Sequence, residues 1–253
     1  MARVISVANQ KGGVGKTTTA MNLVTALAMG GQKTLLIDID PQANATSGLG
    51  IDKHKAIGTF HVMLNAGRAE AALVADVIDG LDVLAASPSL VNLEYTLATE
   101  QDREIKLIPL VERFEEAYDF VIIDCPPSLG LLTKNALRAS ESVIIPIQCE
   151  YYAMEGLTQI LTTIKDTPSR NGQTVRIAGI LFTMYDRESA LAREVIEEVT
   201  EHFPAQVYRT KIPRDGVLGE APSFGRSVFD YDIRSRAARA YMELAREVIV
   251  RGS

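Results

Sequence analysis

Apolar residues run along this chain in two alternating rhythms. Short, nearly unbroken Val/Ile/Leu runs stand at 4–8, 34–37, 83–85, 120–123, 143–147 and 177–182. Runs of that length and composition read as strands buried on both faces, as in a parallel sheet. Between them, apolar positions recur at helical spacing. Ala20, Leu23, Val24 and Leu27 make one stripe, Leu191, Val195, Val199 and Phe203 a second, and Ala237, Tyr241, Leu244 and Val248 a third. This alternation predicts a doubly wound α/β fold, a mostly parallel twisted sheet with helices on both faces. Ligands are then expected at the C-terminal ends of the strands. The stretch 44–92 is the least regular, with short helices expected from Thr59 and Ser89 and a strand near Leu84. The loop signal is plainest at 168–173, PSRNGQ. No repeat, low-complexity tract or long linker interrupts the pattern, so residues 1–253 read as a single domain.

The first apolar run leads directly into Lys11-Gly12-Gly13-Val14-Gly15-Lys16-Thr17-Thr18. Strand, glycine loop and a helix starting near Thr17 would gather backbone N–H groups and a positive helix end around one cavity, which suits a polyphosphate. Lys16 is placed to reach the outer phosphates and the Thr17 hydroxyl to ligate Mg²⁺. The ordinary phosphate-loop pattern asks for glycine where Gln10 stands, and a second lysine, Lys11, heads the loop instead. A cation held against the bond between the last two phosphates would stabilise charge that grows during transfer.

Two further segments end predicted strands in carboxylates. In Asp38-Ile39-Asp40-Pro41-Gln42-Ala43-Asn44, strand alternation points Asp38 and Asp40 to one side. Asp40, at the tip, suits the positioning of an attacking water, although an Asp-Pro turn with Asp40 as a local cap is the competing reading. Asp38 is expected nearer the lysine and metal shell. The run at 120–123 ends in Asp124-Cys125-Pro126-Pro127-Ser128, where a rigid strand would present Asp124 to Mg²⁺ or its waters. Cys125 itself reads as a small buried apolar residue.

Composition narrows the class. Cys125 and Cys149 make no disulfide framework and suit a reduced, cytoplasmic setting. Three scattered histidines argue against a histidine metal site, and no apolar run approaches the ~20 residues of a membrane span. The net charge of −6 argues against a surface that coats nucleic acid throughout. Yet residues 203–253 carry nine Lys/Arg against six Asp/Glu, leaving 17 against 26 elsewhere. A basic C-terminal face would meet DNA locally or be an ordinary solvated surface.

Taken in order, the loop, DIDPQAN, DCPPSLG, the Ile212-Pro213-Arg214 segment and GEAPSFG resemble the ParA/MinD superfamily of deviant Walker A ATPases, and most closely its short chromosomal ParA branch. The resemblance spans residues 4–246. It implies an ATP- and Mg²⁺-dependent switch that closes as a homodimer, with Lys11 reaching the partner's nucleotide. It assigns Lys11, Lys16 and Asp40 to catalysis and Thr17, Asp40 and Asp124 to the metal. Residues 126–130 become the moving loop, and the stretches 180–184 and 212–214, with Met184, Ile212, Pro213 and Arg214, the adenine subsite. Glu155, in the segment 148–156, joins the dimer interface.

The resemblance further implies non-specific DNA binding by the closed dimer at the nucleoid, and hydrolysis triggered by a ParB-like or cargo-adaptor protein. At the two positions where that branch is expected to place DNA-binding arginines, this chain has Glu188, with Arg187 one place early, and Val217. A helix over 188–202 would add further acid there. Arg209, Lys211, Arg214, Arg226, Arg234, Arg236 and Arg239 remain as candidates for a shifted patch. Three rivals are set aside on residues. A membrane-surface switch would need an amphipathic tail beyond the last helix, where the sequence reads Ile249-Val-Arg-Gly-Ser253. An iron–sulfur carrier would need clustered cysteines. A nucleotide sensor without turnover would have no use for Lys11 and Asp40.

Overall fold

The computed structural model describes residues 1–54, 57–151 and 153–251. Tyr152, Gly252 and Ser253, which belong to segments read above, lie outside the described residues. Seven strands form one sheet: β1 (Arg3–Val7), β2 (Thr34–Asp38), β3 (Leu73–Ile78), β4 (Leu81–Leu84), β5 (Phe120–Asp124), β6 (Ser142–Gln148) and β7 (Arg176–Thr183). Their order is β3-β4-β2-β5-β1-β6-β7, parallel throughout except the β3/β4 edge pair. The doubly wound α/β prediction therefore holds. β5 and β2 lie on one side of β1 and β6 and β7 on the other, so the loop after β1 opens into the crevice where the strand order turns back.

Period-two alternation divides the core. Val4, Leu35, Ile37, Val121 and Ile123 face one side of the sheet, while Ile5, Val7, Leu36, Phe120 and Ile122 face the other. The first side is covered by α2 (Leu131–Ala139), α3 (Ala153–Asp166) and α4 (Ala190–His202), the second by α1 (Lys16–Met29) and α5 (Arg236–Arg251). Each fully buried Leu or Ile contributes about 1.5–3 kcal/mol. α1 is buried almost all round from Thr19 to Ala28 because α5 packs over its outer face. No helix among the described residues is long and apolar enough to cross a membrane.

Three details depart from the sequence reading. β3 was not expected. Its pairing with β4 shifts register between Val74 and Ile78, where Asp76 takes a positive φ of 53°, so its apolar residues never alternate cleanly. α4 begins at Ala190 and not at 188, because the Ser189 hydroxyl accepts from Ala192 N and caps it. Leu191 leaves its predicted stripe and is exposed, while Ala192 takes the buried position beside Val195 and Val199.

Candidate nucleotide site

Register brings the polar strand ends together. Asp124 pairs with Val7 on one side and Asp38 on the other, and Gln148 pairs with Thr183. The loop 9–15 rises between them. Gly15 caps α1 with φ 85°, a left-handed conformation that favours glycine. Three side chains tie the loop down. Asn9 accepts from Lys11 N at 3.1 Å and donates to Pro146 O at 2.7 Å. Gln148 donates to Gly13 O at 3.0 Å, and the Thr183 hydroxyl to Val14 O at 2.8 Å. The carbonyls of Gly13 and Val14 are thereby engaged, and Lys11 N is held by Asn9. Each such tether adds about 0.5–1.5 kcal/mol. Sequence reasoning missed Asn9, gave Gln148 no role, and placed Thr183 only within the 180–184 stretch beside the base, not as a tether of the loop. Their only signal was position, at the loop's first turn or at a strand's C-terminal end.

Two adjoining cavities share Gly15, Thr18 and Met184. One, of about 270 Å³, is lined by Gly13, Lys16, Thr17, Asp40, Asn44 and Pro127. The other, of about 280 Å³, is lined by Thr183, Ile212, Pro213, Arg214, Asp215 and Tyr241. The first is charged, the second mostly apolar, as a polyphosphate and an attached ring would require. Tyr185 N donates to Ile212 O, which carries the Ile212–Arg214 segment alongside Met184, itself at a positive φ of 50°. Val14 is buried and Gly12 lies on the outer side of the loop facing Pro127.

The charges are arranged unequally. Lys16 is buried and donates to Lys11 O at 2.9 Å. Burial lowers its ammonium from the ordinary value, and the nearby Asp124 charge works against that shift. Asp124 is fully buried and neither carboxylate oxygen has a hydrogen-bond partner, although the Thr17 side chain is near enough to favour the charged form. Burial, then the adjacent Asp38, push its carboxyl well above the usual range. An orphaned, buried carboxylate beside a hydroxyl fits a hard divalent cation. No group of three His, Cys, Asp or Glu is placed to hold a metal among the described residues, so the remaining ligands would be phosphate and water oxygens.

Asp38 does not join the lysine shell as expected. Its Oδ2 accepts from both Thr46 N and Thr46 Oγ1, and its Oδ1 from Asp40 N. Burial still pushes it up to about 6. Its place is to hold the Asp40 turn rigid. Asp40 accepts from Gln42 N at 2.9 Å, so it does form the local turn, and it also lines the charged cavity. The Cys125 thiol is pushed well up, by burial first, and that of Cys149 to about 11 by burial, so neither is a thiolate nucleophile.

Lys11 stands apart from Lys16. Its ammonium lies 2.5 Å from Glu150 Oε2, with both side chains partly in solvent. The basic candidates assemble only in part, with Arg214, Arg234, Arg236 and Arg239 as neighbours. Lys211 lies over the Tyr185 ring at 5.9 Å, Arg214 lines the apolar cavity, and Arg236 sits 4.0 Å from Asp215. Arg239 donates to Arg234 O at 3.2 Å and Arg236 to Arg214 O at 3.4 Å, whereas Arg187 and Arg226 are exposed on other segments and Arg209 lies in a different cleft.

Comparison with known proteins agrees with this geometry. Residues 2–177 match a family model described as an AAA domain. The chain is 47% identical over 253 residues to the sporulation initiation inhibitor protein Soj of Bacillus subtilis, covering 100% of each. It is 44% identical to the chromosome-partitioning ATPase Soj of Treponema pallidum, covering 99% of this chain and 98% of that one. A solved structure described as cobyrinic acid a,c-diamide synthase from Mycobacterium smegmatis, with bound ATP analogue and magnesium, matches at a TM-score of 0.84 and 38% identity, over 97% of this chain and 93% of that one. Loop, carboxylates and likeness over the whole length agree: the chain belongs to the ParA/Soj family of chromosome-partitioning ATPases.

Proposed function

We propose that this chain, one domain over residues 1–253, is an ATP-dependent dimerising switch that partitions or positions cargo in the cytoplasm. ATP is its substrate, hydrolysed slowly to ADP and phosphate. Gly12–Thr18 cradle the phosphates and Lys16 neutralises the outer ones. Asp40 orients the attacking water, held by its turn and by Asp38. Met184, Ile212, Pro213 and Arg214 hold the base. Thr17 and Asp124 would hold Mg²⁺, directly or through water, with Asp40 close by. When bound, Mg²⁺ supplies charge neutralisation at the outer phosphate oxygens. Lys11 serves the partner subunit's nucleotide, so turnover requires two copies. The closed homodimer binds DNA non-specifically at the nucleoid, and a ParB-like or cargo-adaptor protein speeds hydrolysis and opens it.

The observation that supports this best is the division between the lysines. Lys16 is sunk in its own cavity, while Lys11 turns outward to Glu150, where a second subunit can meet it. The decisive experiment sizes the Asp40→Ala protein with ATP and Mg²⁺ and measures its retardation of long DNA. A stable dimer that retards DNA with ATP, and much less with ADP or without nucleotide, is expected. A monomer with ATP, or equal retardation in all three conditions, overturns the reading.

One observation favours a second reading. Glu188 is exposed beside Asp186, and Val217 is half-buried at the start of a short helix, so neither place offers a cation. A positioning ATPase that acts through a protein partner or a membrane surface, with weak DNA binding, would look like this. An ATP-bound dimer that leaves DNA unretarded would select it.

A further inference from the structure

A cleft of about 680 Å³ opens at the other end of the sheet, among the N-terminal ends of β1, β6 and β7 and the last turns of α5. Its floor is built by close approach. The Tyr208 ring lies on β7 at Gly179, where a Cβ would sit 2.2 Å from a ring carbon. Two arginines form its walls. Arg251 stands over the Tyr208 ring at 4.4 Å and donates to the carbonyls of Gln206 and Val207. Arg3 donates to Val248 O at 2.8 Å and Ile249 O at 3.1 Å, engaging carbonyls at the negative end of α5.

Three more arginines, Arg176, Arg209 and Arg246, line the same cleft. All three are exposed, and none has a side-chain hydrogen bond or ion pair among the described residues. The nearby acids are engaged by other groups than these three side chains. Glu247 accepts from Arg209 N, Thr210 N, the Thr210 hydroxyl and Arg251. Glu141 accepts from Arg170 at 3.5 Å. Five guanidiniums thus share one concavity whose lining holds a single acid, Glu247, which is paired with Arg251. Like charges gathered this closely repel unless an anion joins them. Burial lowers the Arg3 guanidinium first, and the Arg176 charge adds to that against Tyr208 and Glu141, which raise it.

We propose that this cleft binds the phosphate backbone of duplex DNA, with Arg176, Arg209 and Arg246 each meeting a phosphate. The inference rests on the DNA-binding reading above and says where that surface lies. The three guanidiniums come from separate segments along an open cleft, which suits a rod of spaced phosphates. The three cations stand exposed around an open cleft with no helix or strand among the described residues projecting from it to enter a groove, so contact with the backbone dominates and sequence matters little. Because the cleft is complete within one subunit, a short duplex binds each subunit whatever nucleotide is present. A closed dimer carries two clefts, and the ATP dependence on long DNA then arises from valence.

Fluorescence anisotropy with a labelled duplex too short to span two subunits tests this, alongside retardation of plasmid-length DNA, each with ATP, ADP and no nucleotide. The proteins are wild type, R176A, R209A, R246A, the triple alanine variant and the triple lysine variant, with thermal melting by circular dichroism as the check of folding. The wild type should bind the short duplex equally in all three conditions. The slope of log affinity against log salt should flatten by about one unit per alanine and about three in the triple variant. The triple lysine variant should keep most of the slope. If the triple alanine variant keeps both the slope and ATP-dependent retardation of long DNA, the cleft is overturned and the partition reading stands. If the wild type retards no DNA even with ATP, the partition reading itself fails. Retardation of long DNA with ATP by a wild type that binds the short duplex in none of the three conditions also overturns the cleft as a DNA surface.

Discussion

At the C-terminal ends of the strands, charge is sunk into the protein. Lys16, Asp38, Asp40 and Asp124 are all buried, and the Asp124 oxygens have no hydrogen-bond partner. At the N-terminal ends, charge stands at a rim, with Arg176, Arg209 and Arg246 exposed around a floor made by Tyr208. Burial makes each ionised group expensive unless its counterpart arrives in a fixed place, which selects one ligand in one pose. Rim cations cost little and attract any polyanion at long range, so they give affinity without register. The two ends are built for different tasks, one for chemistry on a single phosphate and one for holding a long, uniform charge.

The largest effect that would break this comparison lies at the buried end. Removing Lys11 should lower turnover by about 10³-fold or more if its cation meets charge that grows in transfer. A mixing experiment tests whether it acts across subunits. Neither Lys11→Ala nor Asp40→Ala should turn over alone. In a mixed dimer the Lys11→Ala subunit keeps its own Asp40 and receives Lys11 from its partner. Random pairing then restores roughly a quarter of wild-type turnover, one working site in half of the dimers. A mixture as inactive as its components would place Lys11 on its own nucleotide.

The two ends also differ in how far the sequence discloses them. The nucleotide end is written in contiguous segments, because a loop that wraps phosphates must supply consecutive N–H groups, and a strand must deliver its carboxylate at the tip. Lys16, Thr17, Asp40 and Asp124 are accordingly legible from the order of residues alone. The supports are not. Thr46, which holds Asp38, follows the DIDPQAN segment, and Thr183, which holds Val14 O, precedes Met184, yet nothing in the order of residues shows what either one holds. The arginine cleft is less visible still. Its members come from residues 3, 176, 209, 246 and 251, and of these only Arg209 stood among the basic candidates. Charge counting found an excess in the last fifty residues but not that β1 and β7 contribute to the same concavity. The missed strand β3 has a local cause, since its bulge breaks the alternation that identifies strands.

A middle-sized effect probes the floor of the cleft. Gly179→Ala drives a methyl into the Tyr208 ring, at a place where Gly179 pairs with Ile144 of β6 and the register shift beside it leaves Ala178 unpaired. Overpacking of this kind costs about 1–3 kcal/mol, a fall of roughly 2–12 °C in melting temperature for a chain of this size. The ring should tilt and carry Arg251 with it, weakening duplex binding while the opposite end keeps its ATP affinity. Equal losses at both ends would mean that the sheet transmits the strain, and the comparison would blur.

The smallest effect concerns the one charge at the nucleotide end that behaves like a rim charge. Lys11 and Glu150 form their pair partly in solvent, with 39% and 50% of their side chains exposed. Such pairs contribute about 0–1 kcal/mol, because water screens the attraction and two long side chains lose freedom. That is too little to hold Lys11 against a triphosphate that needs it. The pair is therefore a resting posture and not a lock. Glu150→Gln should shift the melting temperature by less than about 3 °C and leave turnover within about twofold of wild type. A rise of about tenfold, equivalent to about 1.4 kcal/mol, would instead make Glu150 a brake on closure. The Lys11 ammonium would then belong with the buried, committed charges of its own end rather than with the loosely held ones opposite.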